Sequence, residues 1–321
     1  MTTALLKLQP KIQVDDILAA FDAKAKGGKE KLALTMVGGG AKGRWQAGFN
    51  YRLYELGLLS RIQLFGGTSV GGLNSVITSK YQNDPDKILE VWDSIDSNAK
   101  IYNGSLPSGV WGISKFILSF QFLRSRNLLT VEPLTAIIEK IFGSTMKMKD
   151  FATPTYTCTG DIYVGSQVVM DDEAFVKDAA LSTCAIPIAF PIYADRYVDG
   201  GVFDNEPFDI TVQKGGTKII GLFCEPESSS TTVTLKNMID VAMRCFNMIY
   251  ATNELRMWNK VKAQQDLNKA TGGEQVEFAL FYPQQSTGDV LNFANKPVMQ
   301  QGYDDACKFL TREKLQEFLL S

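Results

Sequence analysis

The sequence of 321 residues contains no histidine. Histidine is the side chain that ionises closest to neutral pH, and it is both the usual general base and the commonest metal ligand in proteins. Its absence excludes a Ser-His-Asp triad, a Cys-His dyad and any zinc site built on imidazole. Proton transfer in this chain must therefore rely on carboxylates, lysine, tyrosine, cysteine or water.

An excess of charge of one sign is also missing. The chain has 33 Lys plus Arg against 35 Asp plus Glu, a formal net charge of -2, whereas nucleic-acid binding depends on a strong basic excess. The acidic cluster Asp171–Glu173 lacks the spacing of a calcium loop, and the sequence favours it as a helix cap. We therefore predict no nucleic-acid partner and no metal site.

Long hydrophobic runs are absent as well. No stretch approaches the roughly 20 apolar residues that span a bilayer, and the N-terminus lacks the basic and apolar regions of a secretory signal peptide. The 5 cysteines are scattered without a C-x-x-C pair, which is typical of reduced thiols. These features predict a cytoplasmic protein that can contact membranes peripherally, and they leave open delivery into a host cell by a route without a signal peptide.

Short apolar runs alternate with glycine turns and helical patterns. Leu32–Val37 and Ile62–Phe65 have the length of strands, and glycines and a helical pattern follow each of them. This alternation is typical of an α/β protein with a parallel sheet. Further predicted elements are strands at Thr155–Tyr163, Gln167–Met170, Lys218–Cys224 and Val276–Phe281, and helices at Glu173–Thr183, Pro207–Lys214 and Asp304–Leu319.

The chain shows no internal repeat and no composition shift that would mark a domain boundary. We predict an N-terminal leader over residues 1–31, with Ile12, Ile17, Leu18 and Phe21 on one face of a short helix. A single domain is predicted over residues 32–321, with an apolar, cap-like insertion near residues 100–130.

A glycine loop, Gly38–Gly43, follows the first predicted strand and fits G-x-G-x-x-G literally. A dinucleotide site would need an acidic residue at the end of the next strand, where Phe65–Ser69 carries none. The remaining interpretations are a tight turn without a ligand, or a loop whose backbone N–H groups stabilise a negatively charged oxygen beside a helix N-terminus.

A second turn, Gly67–Gly71, matches G-x-S-x-G between a predicted strand and a predicted helix. A nucleophilic serine on such a turn is exposed in strained backbone geometry that small neighbours permit. The alternative interpretation is that Ser69 only caps the helix, since serine is a favoured cap residue.

A serine nucleophile needs a group that accepts its proton, and histidine is not available here. The match to S-x-x-K at Ser97–Lys100 lies at the end of a polar helix without a glycine turn, so we regard it as chance. Asp199 is the best-placed carboxylate, because it follows an apolar strand end and precedes Gly200 and Gly201. The alternative for Asp199 is an ordinary Asp-Gly β-turn.

Taken in order, the motifs Gly38–Gly43, Gly67–Gly71 and Asp199–Gly201 resemble the patatin-like phospholipase family. The likeness also covers Ala179–Pro187, Phe190–Pro191 and Val202–Pro207, and it extends over residues 32–225. The resemblance implies a three-layer α/β sandwich with a mostly parallel central sheet. It also implies hydrolysis of fatty-acyl esters in phospholipids or other lipids, without metal or cofactor.

The same resemblance assigns roles by position. Ser69 would be the nucleophile and Asp199 the base of a catalytic dyad, with an acyl-serine as the intermediate. The residues assigned to the oxyanion hole are Gly38, Gly39, Gly40, Ala41, Lys42 and Gly43; those of the nucleophile turn are Gly67, Thr68, Val70 and Gly71; those of the dyad loop are Gly200 and Gly201. Many members of the family require a protein or small-molecule activator, so an activator is a further possible partner.

An apolar stretch over residues 110–123 has helical spacing. Two interpretations are open: an interfacial cap that contacts acyl chains and the membrane, or a helix of the core. The residues assigned to acyl-chain or membrane contact are Trp111, Ile113, Phe116, Ile117 and Phe120.

The sequence predicts a phospholipase A-type lipid acyl hydrolase. Two other functions remain as alternatives: an acyltransferase or thioesterase with the same acyl-serine, and a non-catalytic lipid-binding or storage protein of the same fold. The intact Ser69, Asp199 and glycine loop favour an enzyme.

Overall fold

The computed structural model describes residues 5–27, 30–104, 127–227, 256–273 and 275–321. The predicted apolar segment 110–123, with the five residues assigned to acyl-chain or membrane contact, lies outside the described residues.

One mixed sheet carries the fold. Its strands are β1 (Leu32–Met36), β2 (Leu64–Thr68), β3 (Thr155–Asp161), β4 (Ser166–Met170), β5 (Tyr197–Asp199), β6 (Lys218–Leu222) and β7 (Glu277–Phe281). The strand order is β4-β3-β2-β1-β6-β7, and β5 pairs with β3 outside this path. The pairs among β1, β2, β3, β6 and β7 are parallel, whereas β4 and β5 run antiparallel to β3.

Helices precede, connect and follow these strands along the chain. Those of the described residues are α1 (Asp15–Ala25), α2 (Arg44–Glu55), α3 (Val70–Lys80), α4 (Pro85–Ser94), α5 (Glu132–Phe142), α6 (Val176–Thr183), α7 (Phe208–Gln213), α8 (256–271), α9 (Pro297–Phe309) and α10 (Arg312–Leu320).

Both faces of the sheet are buried, which makes three layers. On β1, Leu34 and Met36 contribute to a large core with α2, α3 and α9, while Ala33 contributes to a second core with Phe208 and Met257. Successive side chains of a strand point to opposite faces, so a strand buried on both sides reads as a continuous apolar run. The predicted three-layer α/β sandwich with a mostly parallel sheet is confirmed.

Helix α1 packs on this domain. Ile17, Leu18 and Phe21 are buried in the large core, and α1 contacts α10. The prediction for Ile12 is wrong, because α1 begins at Asp15 and Ile12 precedes it. The division of the chain at residue 31 into a leader and a domain stays a prediction.

Two further predicted features differ from the structure. The helix predicted at Asp304–Leu319 is two helices, because the chain leaves helical geometry at Leu310 and the Thr311 side chain caps α10. The cluster Asp171–Glu173 does not cap a helix, since α6 begins at Val176. Asp171 and Glu173 instead form ion pairs with lysines, Asp171 with Lys214 and Glu173 with Lys147 and Lys149.

Within the described ranges, no helix has the length and apolarity needed to cross a bilayer.

Candidate functional site

The turn between β2 and α3 consists of Ser69 alone. Its backbone angles, φ 56° and ψ -132°, are strained for a residue with a side chain. The Ser69 N–H donates to Thr183 Oγ1 at 2.9 Å, and its carbonyl accepts from the Leu73 N–H at 3.0 Å. The Ser69 side chain makes no capping hydrogen bond to α3, so helix capping does not account for the hydroxyl.

Glycines permit the chain to cross itself at this turn. A Cβ on Gly67 would lie 2.5 Å from the Met36 carbonyl oxygen, and one on Gly71 would lie 2.0 Å from the same atom. Any side chain at these two positions would therefore push the serine turn away from the end of β1.

The pairing around β3 brings Asp199 to Ser69. Along one edge of β3, β2 pairs up to Thr68 opposite Cys158. The other edge is occupied by β4, which is paired as far as Asp161, so β5 must take the first edge where β2 leaves it. Asp199 pairs with Thr159, the next residue of β3 after Cys158. Asp199 and the serine turn are thus consecutive along one edge.

The Asp199 side chain is buried, and its two oxygens have different environments. Oδ1 accepts a hydrogen bond from the Gly201 N–H at 2.8 Å, as expected for a carboxylate that caps a short turn. Oδ2 has no hydrogen-bond partner of good geometry among the described residues. Burial raises the pKa of Asp199 to about 7, although the nearby Ser69 hydroxyl and the Gly201 N–H favour the ionised form. The carboxyl group can therefore accept a proton near neutral pH.

The glycine loop lies against the serine. A Cβ on Gly38 would come within 2.8 Å of the Ser69 Cβ. Three backbone N–H groups of the loop are engaged within the fold: Gly38 donates to the Asn205 carbonyl, Ala41 to the Val290 carbonyl and Lys42 to the Gly39 carbonyl. The N–H groups of Gly39 and Gly40 have no partner in the part of the chain that the structure describes. These two are the candidate oxyanion donors.

The Lys42 side chain is buried beside the loop. Its ammonium group forms an ion pair with Glu225, and burial lowers its pKa. Lys42 thus has a partner within the fold.

Sequence reasoning assigned no role to Thr183, which links the two halves of the site. Its hydroxyl accepts from the Ser69 N–H and donates to the Cys158 carbonyl at 2.6 Å. That carbonyl lies 2.4 Å from where a Cβ on Gly200 would be. Thr183 lies in Ala179–Pro187, a segment that resembles the family, and nothing else in the sequence indicated that Thr183 belongs to the site.

Asn205 and Asp204 tie the dyad loop to the other two motifs. The Asn205 side-chain amide donates to the Gly38 carbonyl at 3.3 Å, and the Gly38 N–H donates to the Asn205 carbonyl at 3.3 Å. The Thr68 hydroxyl donates to the Asp204 carbonyl at 3.0 Å. The glycine loop, the serine turn and the dyad loop therefore form one hydrogen-bonded unit.

Gly40→Ala should destabilise the loop more than a matched change elsewhere. Gly40 has a φ of 58°, and a Cβ there would lie 2.3 Å from the Val290 carbonyl oxygen; Gly272 has a φ of 71° and no atom within 4 Å. Gly272→Ala therefore measures only the cost of placing a side chain in left-handed backbone geometry, about 1 to 2 kcal/mol. We expect Gly40→Ala to lose about 1 to 3 kcal/mol more through overpacking, measured by urea denaturation. Equal losses would contradict the close contact with Val290.

Together these contacts describe an α/β protein with a serine on a strained strand-to-helix turn and a buried carboxyl group beside that turn. The sequence model described as "Patatin-like phospholipase" matches residues 34–212. The chain belongs to the patatin-like phospholipase family.

Comparison with individual proteins gives distant similarities. Patatin-like phospholipase domain-containing protein 7 of Rattus norvegicus is 25% identical over 195 residues, which cover 60% of this chain but only 13% of that protein. The crystal structure of VipD from Legionella pneumophila has 13% identity and a TM-score of 0.42, over 88% of this chain and 67% of that one. The crystal structure of the type III effector protein ExoU has 13% identity and a TM-score of 0.35, over 91% of this chain and 54% of that one.

Proposed function

We propose that this protein is a phospholipase A-type lipid acyl hydrolase with a Ser69–Asp199 dyad. The observation that carries the proposal is the placement of Asp199 beside the serine turn, with a buried carboxyl group whose pKa is about 7. General bases work best when their pKa lies near the operating pH. Membership of a phospholipase family supports a lipid ester as the substrate.

The mechanism is a two-step acyl transfer. Ser69 Oγ attacks the ester carbonyl while Asp199 Oδ2 accepts the hydroxyl proton. The N–H groups of Gly39 and Gly40 donate to the oxyanion, and the α3 N-terminus favours the same negative charge. The leaving alcohol takes the proton from Asp199, and an acyl-serine remains. Water then attacks this ester, Asp199 accepts a proton from the water, and Ser69 recovers its proton as the fatty acid leaves.

The test is covalent labelling with a fluorophosphonate probe, location of the modified residue, and a panel of lipids. We expect the adduct on Ser69, and fatty acid release from phospholipid that Ser69→Ala abolishes. Ser75→Ala is the matched control, because Ser75 is a buried serine of α3 and its hydroxyl donates to the Gly71 carbonyl.

Other outcomes would point to the alternative functions. A folded protein without an adduct at Ser69 would favour a non-catalytic lipid-binding or storage protein. Acyl transfer to an added alcohol in preference to water would identify an acyltransferase, and a strong preference for acyl thioesters would identify a thioesterase.

Thr183→Val should reduce kcat by about 10- to 100-fold with little change in KM. The substitution keeps the shape of the side chain but removes the hydroxyl that holds the Ser69 N–H and the Cys158 carbonyl, and small misplacements of a nucleophile have effects of this size. Steady-state kinetics on a soluble ester would measure it. Thr183→Ser retains the hydroxyl and should stay within a few-fold of the wild type. Equal losses in the two variants would show that the methyl group, not the hydrogen bonds, matters.

A further inference from the structure

The hairpin between β3 and β4 exposes three consecutive large apolar side chains. Ile162, Tyr163 and Val164 are 43%, 75% and 67% exposed. The other exposed large apolar residues of the described ranges stand apart from one another: Leu8, Tyr54, Phe175 and Leu267. Single exposed apolar residues are ordinary on protein surfaces, whereas a contiguous apolar group marks an interaction site. We call Ile162–Val164 the hairpin tip.

The hairpin tip lies beyond the carboxyl ends of the parallel strands, as the candidate site does. Strand β3 runs parallel to β2, and Cys158 is level with Thr68, the residue before the nucleophile. Ile162 is four residues beyond Cys158, which at 3.3 Å per residue is about 13 Å further along the strand direction. The hairpin tip therefore projects past Ser69 on the side where the strands end.

Polar contacts hold the backbone of the hairpin tip. Asp161 Oδ1 accepts from the N–H groups of Tyr163 at 2.9 Å and Val164 at 3.2 Å, and the Ile162 N–H donates to the Arg196 carbonyl at 3.1 Å. Asp161 Oδ2 forms an ion pair with Arg196 Nε at 2.7 Å. A surface that is already ordered loses little conformational entropy when it binds.

The charges behind the hairpin tip match a zwitterionic lipid headgroup. Asp161 is the only charged residue between 151 and 170, and Arg196 pairs with it. The Arg196 side chain is half exposed, and its terminal nitrogens donate to no other described residue. The Arg196 guanidinium group at the base of an apolar tip complements the phosphate of a lipid headgroup. Its pairing with Asp161 leaves little net charge there, which suits a zwitterionic phospholipid such as phosphatidylcholine.

We propose that the hairpin tip docks the protein on a zwitterionic phospholipid bilayer, with its three apolar side chains inserted at the interface. The proposal rests on the proposed lipid hydrolase function, and it explains how Ser69 would be held over its substrate. Insertion of this kind buries apolar area at the boundary between headgroups and acyl chains. Since the local charges nearly balance, binding should depend weakly on salt and on anionic lipid.

The test compares Tyr163→Ser/Val164→Ser with the wild type by cosedimentation with phosphatidylcholine vesicles. We expect at least about 10-fold weaker binding in the double variant, from the lost apolar burial. Leu267→Ser is the matched control, because Leu267 is also an exposed apolar residue, 55% exposed. It lies near the end of α8 that leads to the start of β7, and therefore toward the amino ends of the parallel strands, away from the hairpin tip. This control should bind as the wild type does.

Activity separates docking from catalysis. In the double variant, probe labelling of Ser69 and hydrolysis of a soluble ester should remain unchanged, while hydrolysis of vesicle phospholipid should fall with binding. Surface substitutions of this kind change stability by about 0.5 kcal/mol or less, and the unfolding temperature would verify that the variants fold.

Three results would overturn the proposal. The first is unchanged vesicle binding by the double variant. The second is binding that requires anionic lipid or that disappears in about 0.5 M salt. Salt at this concentration shortens the electrostatic screening length about threefold relative to low salt, so such a loss would show that charge attraction, not apolar insertion, holds the protein on the vesicle. The third is loss of self-association, seen by sedimentation velocity, without loss of vesicle binding, which would assign the hairpin tip to a second copy of the chain. Vesicle binding does not depend on whether the probe labels Ser69, so a missing Ser69 adduct would remove the proposed function separately.

Discussion

Asp199→Asn is expected to lower kcat on a soluble ester by about 10²- to 10⁴-fold, the usual contribution of a general base. The amide keeps the shape of the carboxyl group, and its oxygen can still accept from the Gly201 N–H, so the fold should persist. Steady-state kinetics would measure the loss, and circular dichroism would verify the fold. Asp266→Asn is the control, because Asp266 is an exposed carboxylate on α8. Full activity of Asp199→Asn would exclude the dyad.

The same variant has a second expected effect, on stability. The pKa of Asp199 is about 7 in the folded protein and 3.8 is its ordinary value, so the folded state binds this proton more tightly than the unfolded state does. The free energy of unfolding should therefore fall as pH rises from about 4 to about 7, by about 4 kcal/mol at most. Asparagine does not ionise, so Asp199→Asn should be more stable than the wild type at pH 8 and similar to it near pH 4.

Urea denaturation at a series of pH values would measure this difference, and a pH–rate profile would complement it. The kcat of the wild type should rise through about pH 7 as Asp199 loses its proton. A difference in stability that does not change with pH would contradict a buried carboxyl group with a raised pKa.

Ser69→Ala is expected to abolish probe labelling and to lower hydrolysis by at least about 10³-fold, because no other group can form the acyl intermediate. The control Ser75→Ala should keep both properties. Labelling that persists at another serine in Ser69→Ala, together with hydrolysis, would move the nucleophile elsewhere.

Ser69→Gly separates the strain of the turn from its chemistry. Alanine retains a Cβ at a φ of 56°, whereas glycine adopts this conformation without a steric penalty. We expect Ser69→Gly to be about 1 kcal/mol more stable than Ser69→Ala, after allowing for the greater freedom of glycine in the unfolded chain, while both are inactive. Urea denaturation midpoints would measure this, and equal stabilities would show that the turn carries no strain.

The glycine-rich turns that follow β1 and β2 were predictable from the sequence, because such turns depend on local backbone geometry. An apolar run, a glycine turn and a helical pattern place Ser69 between a strand and a helix in any α/β arrangement. The bounds of β2 were less predictable. The strand expected at Ile62–Phe65 is Leu64–Thr68, because pairing with β1 and β3 on both edges holds Gly66 and Gly67 in extended geometry despite their low strand propensity.

Other features depended on contacts between residues far apart in the chain. Strand β5 has three residues and forms only because the edge of β3 is open where β2 ends. The hydrogen bonds of Thr183 to the serine turn and to β3 follow from where α6 lies on the sheet. A strand of three residues is too short to show a periodic pattern in the sequence. A hydrogen bond between residues far apart in the chain leaves no sequence pattern either.

By itself the sequence determined which chemistry is possible: without histidine, a serine on a glycine-rich turn must give its proton to another kind of group. Only the tertiary structure supplied the reason for which we propose Asp199 in that role. An isolated aspartate has too low a pKa to be a good base at neutral pH. Burial beside the serine turn raises the pKa of Asp199 to about 7, because burial disfavours the charged form, and burial is a property of the folded chain alone.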